Sequence, residues 1–392
     1  MNIITTNDDL AGLCSRLADH DYVTVDTEFM RESTYWPKLC LIQIASDDEE
    51  AIIDPLANGL DLGPLFQLFA NESVVKVFHA ARQDVEIFHH LSGNIPTPLF
   101  DSQVAAMVCG FGEQVSYSQL VKKLTGADLD KSSRFTDWAK RPLSKKQLTY
   151  ALGDVTHLRL IYKKLQKDLT KSGRSAWLSE ELKTLTSKGT YEVQPKDAWK
   201  RLKMRVNNRR ALGILMELAG WREALAQSAN IPRGRVLKDD ALYDIANQAP
   251  ATQKELGQLR SVSEGFAKSD KGKAVIDAIE RGKNKPIDDI PPLKKGTPLD
   301  AQAMAVCELL RVYLKAVAAQ QNVAPKMIAT SADLEKLALS DTANIPALQG
   351  WRYEMFGQQA LRLKHGDLVL GVKDQRVQAL EAPDLETESV PS

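Results

Sequence analysis

Cysteine is scarce in this 392-residue chain: Cys14, Cys40, Cys109 and Cys307 stand far apart, with no Cys-x-x-Cys and no paired spacing. That argues against a disulfide framework or a zinc–thiolate site and suits reduced packing residues of a cytosolic protein. Net charge is lacking too, since 51 Lys and Arg balance 51 Asp and Glu. No global field therefore draws the chain to nucleic acid, and any basic binding surface is local. No apolar run approaches membrane-spanning length, and Met1-Asn2-Ile3-Ile4-Thr5-Thr6 lacks the basic-then-apolar pattern of a signal peptide. A Gly-x-x-x-x-Gly-Lys-Ser/Thr phosphate loop is missing as well, which removes a helicase fragment from consideration. Together these absences predict a cytoplasmic protein with no membrane partner.

What is present is an ordinary globular composition, 43% hydrophobic and 26% charged, on a chain long enough for two or three domains. The pattern predicts a short helix capped by Asn7 and running through Leu17, then strands over Tyr22–Glu28, Leu39–Ala45 and Ala51–Ile53. The short connections between these strands favour an antiparallel meander. Helices follow over Asp61–Phe69, Gln83–Leu91, Ser102–Cys109 and Ser116–Leu124, with strands over Val74–Phe78 and Thr97–Phe100. A long helix over Ser144–Leu169 then takes Ser144 as its cap. Three strands followed by alternating helices and strands make a mixed α/β sheet.

The character changes after about Leu169. The expected division is 1–170 for the α/β domain, 171–208 for a basic helical connection, 209–290 for a first helical domain, 291–298 for a Pro/Lys linker, 299–378 for a second helical domain, and 379–392 for an acidic, disordered tail. The two helical regions repeat one another. Asn230-Ile231 through Leu242, Ile245 and Ala246 aligns at constant offset with Asn322-Val323 through Leu334, Leu337 and Ala338, and Gly265 falls on Gly357. Two unrelated bundles agreeing by chance are the alternative.

The chain is organised around Val25-Asp26-Thr27-Glu28. Two carboxylates two residues apart in a strand point to one face, and such a pair repels itself unless a cation sits between them. Hard oxygen ligands suit magnesium or manganese. Taken alone, the triplet is weak evidence, because most such triplets are solvated strand ends. Asp84 follows the strand Val74–Phe78 at a helix start, where it reads either as a cap or as a further acid. Tyr150 and Asp154, four apart on the long helix, share a face. His79 alone reads as a half-buried structural histidine.

Taken in order, Asp26-x-Glu28, Asp84 and Tyr150-x-x-x-Asp154 resemble the DEDD superfamily of 3′–5′ exonucleases in its tyrosine-bearing branch. Thr149 stands where the histidine-bearing branch would place its base. Asp26-Thr27-Glu28-Phe29, Tyr35, Leu39-Cys40-Leu41-Ile42-Gln43 and His79-Ala80-Ala81-Arg82-Gln83-Asp84 are similar to the ribonuclease D family, and the two helical repeats resemble HRDC domains. The resemblance implies an RNase H-like α/β exonuclease domain followed by two all-α HRDC domains. It also implies two divalent metal ions, Mg2+ or Mn2+, held by Asp26, Glu28, Asp84 and Asp154, with Tyr150 orienting the attacking water. A phenol of ordinary pKa ~10 suits positioning better than proton abstraction at neutral pH. The expected substrate is RNA with a free single-stranded 3′ end, such as a tRNA precursor or another small stable RNA, and the expected state is a monomer. A DNA-directed 3′–5′ exonuclease of proofreading or repair type and a catalytically dead RNA-binding adaptor remain as alternatives.

Substrate contacts are less determined. Lys122-Lys123, Lys140-Arg141, Lys145-Lys146, Lys163-Lys164, Lys200-Arg201 and Arg209-Arg210 read either as a phosphate track or as solvated helix faces. Phe29, Tyr35, Trp36 and Phe135 read as base platforms or as core residues. Arg31 and Gln43 are further candidates for substrate contact. Trp221 and Trp351-Arg352 are expected to anchor the helical cores.

Overall fold

The computed structural model describes residues 3–382 apart from 131, 132, 134, 135, 204 and 294–297. The expected platform Phe135, the centre of the Pro/Lys linker and the tail from 383 onward lie outside the described residues.

Residues 3–182 form a layered α/β unit. Its elements run β1 (Ile3–Ile4), α1 (Asn7–Leu17), β2 (Tyr22–Met30), β3 (Lys38–Ala45), β4 (Glu50–Ile53), α2 (Gly63–Ala70) and β5 (Val75–Phe78). There follow α3 (Arg82–Ser92), β6 (Leu99–Asp101), α4 (Ser102–Val108), α5 (Tyr117–Thr125), α6 (Lys145–Ser172) and α7 (Ser175–Leu182). The sheet order is β1-β4-β3-β2-β5-β6. Strands β2, β3 and β4 form the antiparallel meander, while β5 and β6 add in parallel at one edge and β1 at the other. Two-residue β1 carries too little pattern to be legible in the sequence. Thr6, not Asn7, caps α1, accepting from the Asp9 N–H. Ser144 and Gln147 form a reciprocal capping box on α6.

That long helix lies on one face of the sheet. Its residues Leu148, Ala151 and Leu152 pack on Leu41 and Ile52, while Leu158, Ile161, Tyr162 and Leu165 join the main core. The Thr24 hydroxyl donates to the Val155 carbonyl at 2.9 Å, tying β2 to the helix just below the acids.

The first helical unit holds α8 (Arg209–Ser228), α9 (Arg233–Val236), α10 (Asp239–Gln248), α11 (Gln253–Leu256), α12 (Glu264–Ala267) and α13 (Asp270–Asn284) around its own core. The second holds α14 (Ala301–Gln321), α15 (Pro325–Ile328), α16 (Ser331–Leu339), α17 (Gly350–Arg352) and α18 (Gln358–His365) around another. The helices α8, α9 and α10 recur as α14, α15 and α16 in the same order and nearly the same lengths.

The second unit is not all-α. It closes with a hairpin of β7 (Leu368–Lys373) and β8 (Arg376–Glu381), turned by Asp374 and Gln375 at φ 51° and 60°. Two left-handed residues suit a two-residue hairpin turn, but without the Asn-Gly or Asp-Gly that announces one. The expected tail boundary at 379 falls inside β8, so 379–381 are paired strand rather than tail. No helix among the described residues is long and apolar enough to cross a membrane.

Candidate active site

Alternation along β2 builds one wall. Thr24 faces α6, so Asp26 and Glu28 face it too. At Glu28 the ladder with β3 slips: Glu28 pairs with Leu41 and Phe29 with Leu39, leaving Cys40 as an extra residue. A bulge of this kind twists a strand and re-aims its side chains. The helix α6 presents Asp154 from the other side. One carboxylate oxygen each of Asp26, Glu28 and Asp154 lies within 4.8 Å of the others, and all three residues are half-buried.

Asp84 sits in the first turn of α3, buried, in the same cleft but outside that cluster. It does not cap its helix, which begins at Ala81 with no side-chain cap. Instead its Oδ1 accepts the Thr27 hydroxyl at 2.5 Å, so the residue between the two strand acids holds the third acid across the sheet edge. The loop that delivers Asp84 is bent through Ala80, in the left-handed region at φ 59°, a conformation an alanine adopts only when its surroundings impose it. Asp101, at the end of β6, imposes it by accepting the N–H groups of Ala80 at 3.1 Å and Ala81 at 2.8 Å. The same carboxylate caps α4 through Gln103 and Val104.

Tyr150 lines the cleft one turn before Asp154, its ring 6.1 Å from that of Trp138. Tyr117, which the sequence did not flag, lies opposite, its hydroxyl donating to the Gly153 carbonyl at 3.1 Å. The cleft holds about 730 Å³, and its further lining includes the polar side chains Gln83, Gln103, Gln114, Ser116 and Ser118 beside the apolar Leu129 and Leu158. His79 joins them with Nδ1 2.9 Å from the Ser102 hydroxyl, and burial lowers its pKa, which leaves it neutral near pH 7.

The electrostatics call for a cation. Burial pushes the Asp26 carboxyl well above its usual range, and the Asp154 charge pushes it further. Burial and then the Asp26 charge do the same to Asp84, outweighing the Thr27 hydrogen bond. Tyr117 is raised by burial and by Asp154 and Asp26. Acids arranged to raise one another, with only carboxylate oxygens as donors, fit hard divalent cations.

The remaining sequence candidates fall elsewhere. Most of the basic pairs already hold partners: Lys122 on Asp128, Lys146 on Asp130, Lys163 on Asp47 and Lys200 on Asp197. Arg141 clamps Asp54 and the Cys40 carbonyl, while Arg209 and Arg210 donate to the Ile290 and Lys285 carbonyls. These are intramolecular contacts of helix faces and loops, in which the Lys122, Lys146, Lys163 and Lys200 side chains stay more than half exposed. Phe29 lines the cleft. Tyr35 and Trp36 do not; Tyr35 is buried against the first helical unit, and Trp36 stacks on His90 at 4.0 Å. Arg31 pairs with Glu86, and Gln43 is fully buried, out of a substrate's reach. Trp221 packs on the first helical core. Trp351 packs on the second helical core and also meets α7, its ring stacking on Trp177 at 4.3 Å while the Arg352 guanidinium pairs with Glu180 and Glu181.

Residues 1–170 match the family model for a 3′–5′ exonuclease, and residues 211–279 match that of the HRDC domain. A ribonuclease D of Nitrobacter hamburgensis is 51% identical over 97% of this chain and 100% of its own length. One from Granulibacter bethesdensis is 48% identical over 96% of each chain. The crystal structure of Escherichia coli RNase D, an exoribonuclease involved in structured RNA processing, superposes with a TM-score of 0.81 at 29% identity, over 93% of this chain and 99% of that one.

Proposed function

The chain belongs to the ribonuclease D family, and on that premise we infer that it is a metal-dependent 3′–5′ exoribonuclease. The observation that carries the reading is the convergence of Asp26, Glu28 and Asp154 oxygens within 4.8 Å, in one cleft with Asp84 and Tyr150. Asp26, Glu28, Asp84 and Asp154 would hold two divalent ions, Mg2+ or Mn2+. When bound, such ions neutralise the phosphate, make water more acidic and relieve the leaving 3′-oxygen. The chain's own work is placement. Thr27 and Asp101 fix Asp84, α6 fixes Asp154, and the Tyr150 hydroxyl orients the attacking water by a hydrogen bond.

The substrates we propose are tRNA precursors and other small structured RNAs with single-stranded 3′ ends, released one 5′-mononucleotide at a time by a monomeric enzyme. We assign 1–170 as the exonuclease domain, 171–208 as its connection and 209–290 as the HRDC domain. The unit from 299 is a second, diverged HRDC-like domain, supported by the recurrence of α8–α10 as α14–α16.

The test uses matched RNA and DNA oligonucleotides labelled at the 5′ end, with Mg2+, Mn2+ or EDTA. The expected result is a ladder shrinking from the 3′ end, faster on RNA and silent in EDTA. Asp26→Asn is expected to lower cleavage to background while RNA affinity stays within about tenfold. Faster loss of DNA would instead support a DNA exonuclease, and binding without a ladder in either metal would support an adaptor.

A further inference from the structure

Gln43 is the most anomalous polar side chain of the α/β unit. It is fully buried in the middle of β3, and neither its Nε2 nor its Oε1 has a hydrogen-bond partner. Buried amides are rarely left in this state, because both polar atoms lose their water and gain nothing. Such a group marks a place where a partner is missing.

The register says where that partner is. Gln43 pairs with Asp26 on β2 and with Ile52 on β4. Cross-strand partners share a face, and this face is the one covered by α6, since Leu41 and Ile52 pack there on Leu148, Ala151 and Leu152. Along β3 the same-face neighbours Leu41 and Ala45 are fully buried and apolar. Asp26 is therefore the polar side chain set directly beside the amide.

We propose that Gln43 is a positioning residue of the metal site, its amide N–H donating to the Asp26 carboxylate when that carboxylate holds a cation. The inference rests on the metal-site reading above. A ligating carboxylate has a second oxygen to orient, and a donor on that oxygen fixes the angle the first presents to the ion. The amide suits the task better than a lysine or arginine, because it orients the carboxylate without competing with the cation for its charge. The Nε2 of an amide kept dry for this purpose is without a partner until metal arrives and gains one afterwards.

The test is Gln43→Met, which keeps the volume and removes both polar atoms, with Gln43→Leu as the second variant. Two quantities are measured on the full chain: thermal unfolding without metal, and Mn2+ binding by calorimetry. The expected outcome is an unfolding temperature equal to or above wild type and Mn2+ affinity weakened by about 10- to 100-fold. Mn2+ affinity within about twofold of wild type in a folded variant overturns the proposal. So does failure of both variants to fold, which would make the amide a structural partner of the core. A wild-type protein that takes up no Mn2+ overturns the metal-site reading and the role of Gln43 together.

Discussion

The two helical units reach the α/β unit through equivalent loops but with different mixtures of contact. Asn230 and Asn322 occupy matching places in the repeat, both left-handed at φ 50° and 51°, and both touch the α/β unit. Asn230 Oδ1 accepts the Trp36 N–H at 3.0 Å, whereas the Asn322 backbone lies against Gly110 and its side chain donates to the Cys109 carbonyl. Around Asn230 the dock is a polar knot. The Tyr35 hydroxyl donates to Glu223, Arg233 donates to both, and Gln227 closes the ring. Around Asn322 apolar packing is joined by ion pairs: Ala324 and Met327 enter the main core, Trp177 stacks on Trp351, Arg352 pairs with Glu180 and Glu181, and Lys326 pairs with Glu113. One loop scaffold therefore supports two kinds of interface, and which kind forms depends on the side chains around the shared asparagine.

The comparison breaks most severely at Gly110. At φ 82° a Cβ there would sit 2.2 Å from the Asn322 carbonyl oxygen, a backbone atom that cannot step aside. Gly110→Val is expected to cost ~2–4 kcal/mol through strain and overpacking, read by chemical denaturation. The second unit should become open to limited proteolysis while the Trp36 amide keeps its protection from hydrogen exchange. Equal loosening of both docks would mean that they are not independent.

The complementary change is Glu223→Gln, which leaves Arg233 and the Tyr35 hydroxyl without their carboxylate. A loss of about 1.5–3 kcal/mol is expected, with Trp36 protection falling and the second unit still resistant to protease. Retained Trp36 protection would show that the ring contacts alone hold the first dock.

The gentlest probe is pH. Burial pushes Glu223 up, but its bonds to Arg233, Tyr35 and Gln227 and the Arg233 charge outweigh burial and hold the carboxyl below its ordinary value. A carboxyl lower in the folded than in the unfolded chain stabilises above the ordinary value of ~4.3, and the contribution is lost as pH falls through the depressed one. Trp36 protection should therefore decline below about pH 4, while the Trp177–Trp351 stack persists by fluorescence. A simultaneous loss would count against the contrast.

Legibility in the sequence followed the range of the interaction. Asp26 and Glu28 were readable from a period of two, and Tyr150 and Asp154 from a spacing of four, because both are properties of a single element. The meander was readable from short loops. What escaped depends on partners far along the chain. Thr27 looks like a spacer until Asp84 is placed beside it, and Asp101 looks like a cap until the N–H groups of Ala80 and Ala81 arrive at its two oxygens. The closing hairpin escaped because Asp374-Gln375 turns without glycine. Among the basic pairs, the acids that hold Arg141 and Lys163, Asp54 and Asp47, are distant in sequence, so those contacts could not be read from it.

Strand β2 also has a mechanical meaning. Its nine residues form a stiff bar roughly 30 Å long. One end is clamped between β3 and β5, and the other leads within a few residues to Tyr35 and Trp36, which are moored to the first helical unit. Asp26 and Glu28 ride on this bar between its two moorings. A pull on the helical unit would thus run along the strand that carries the acids, resisted by the β3 ladder that pairs it from Thr24 to Met30.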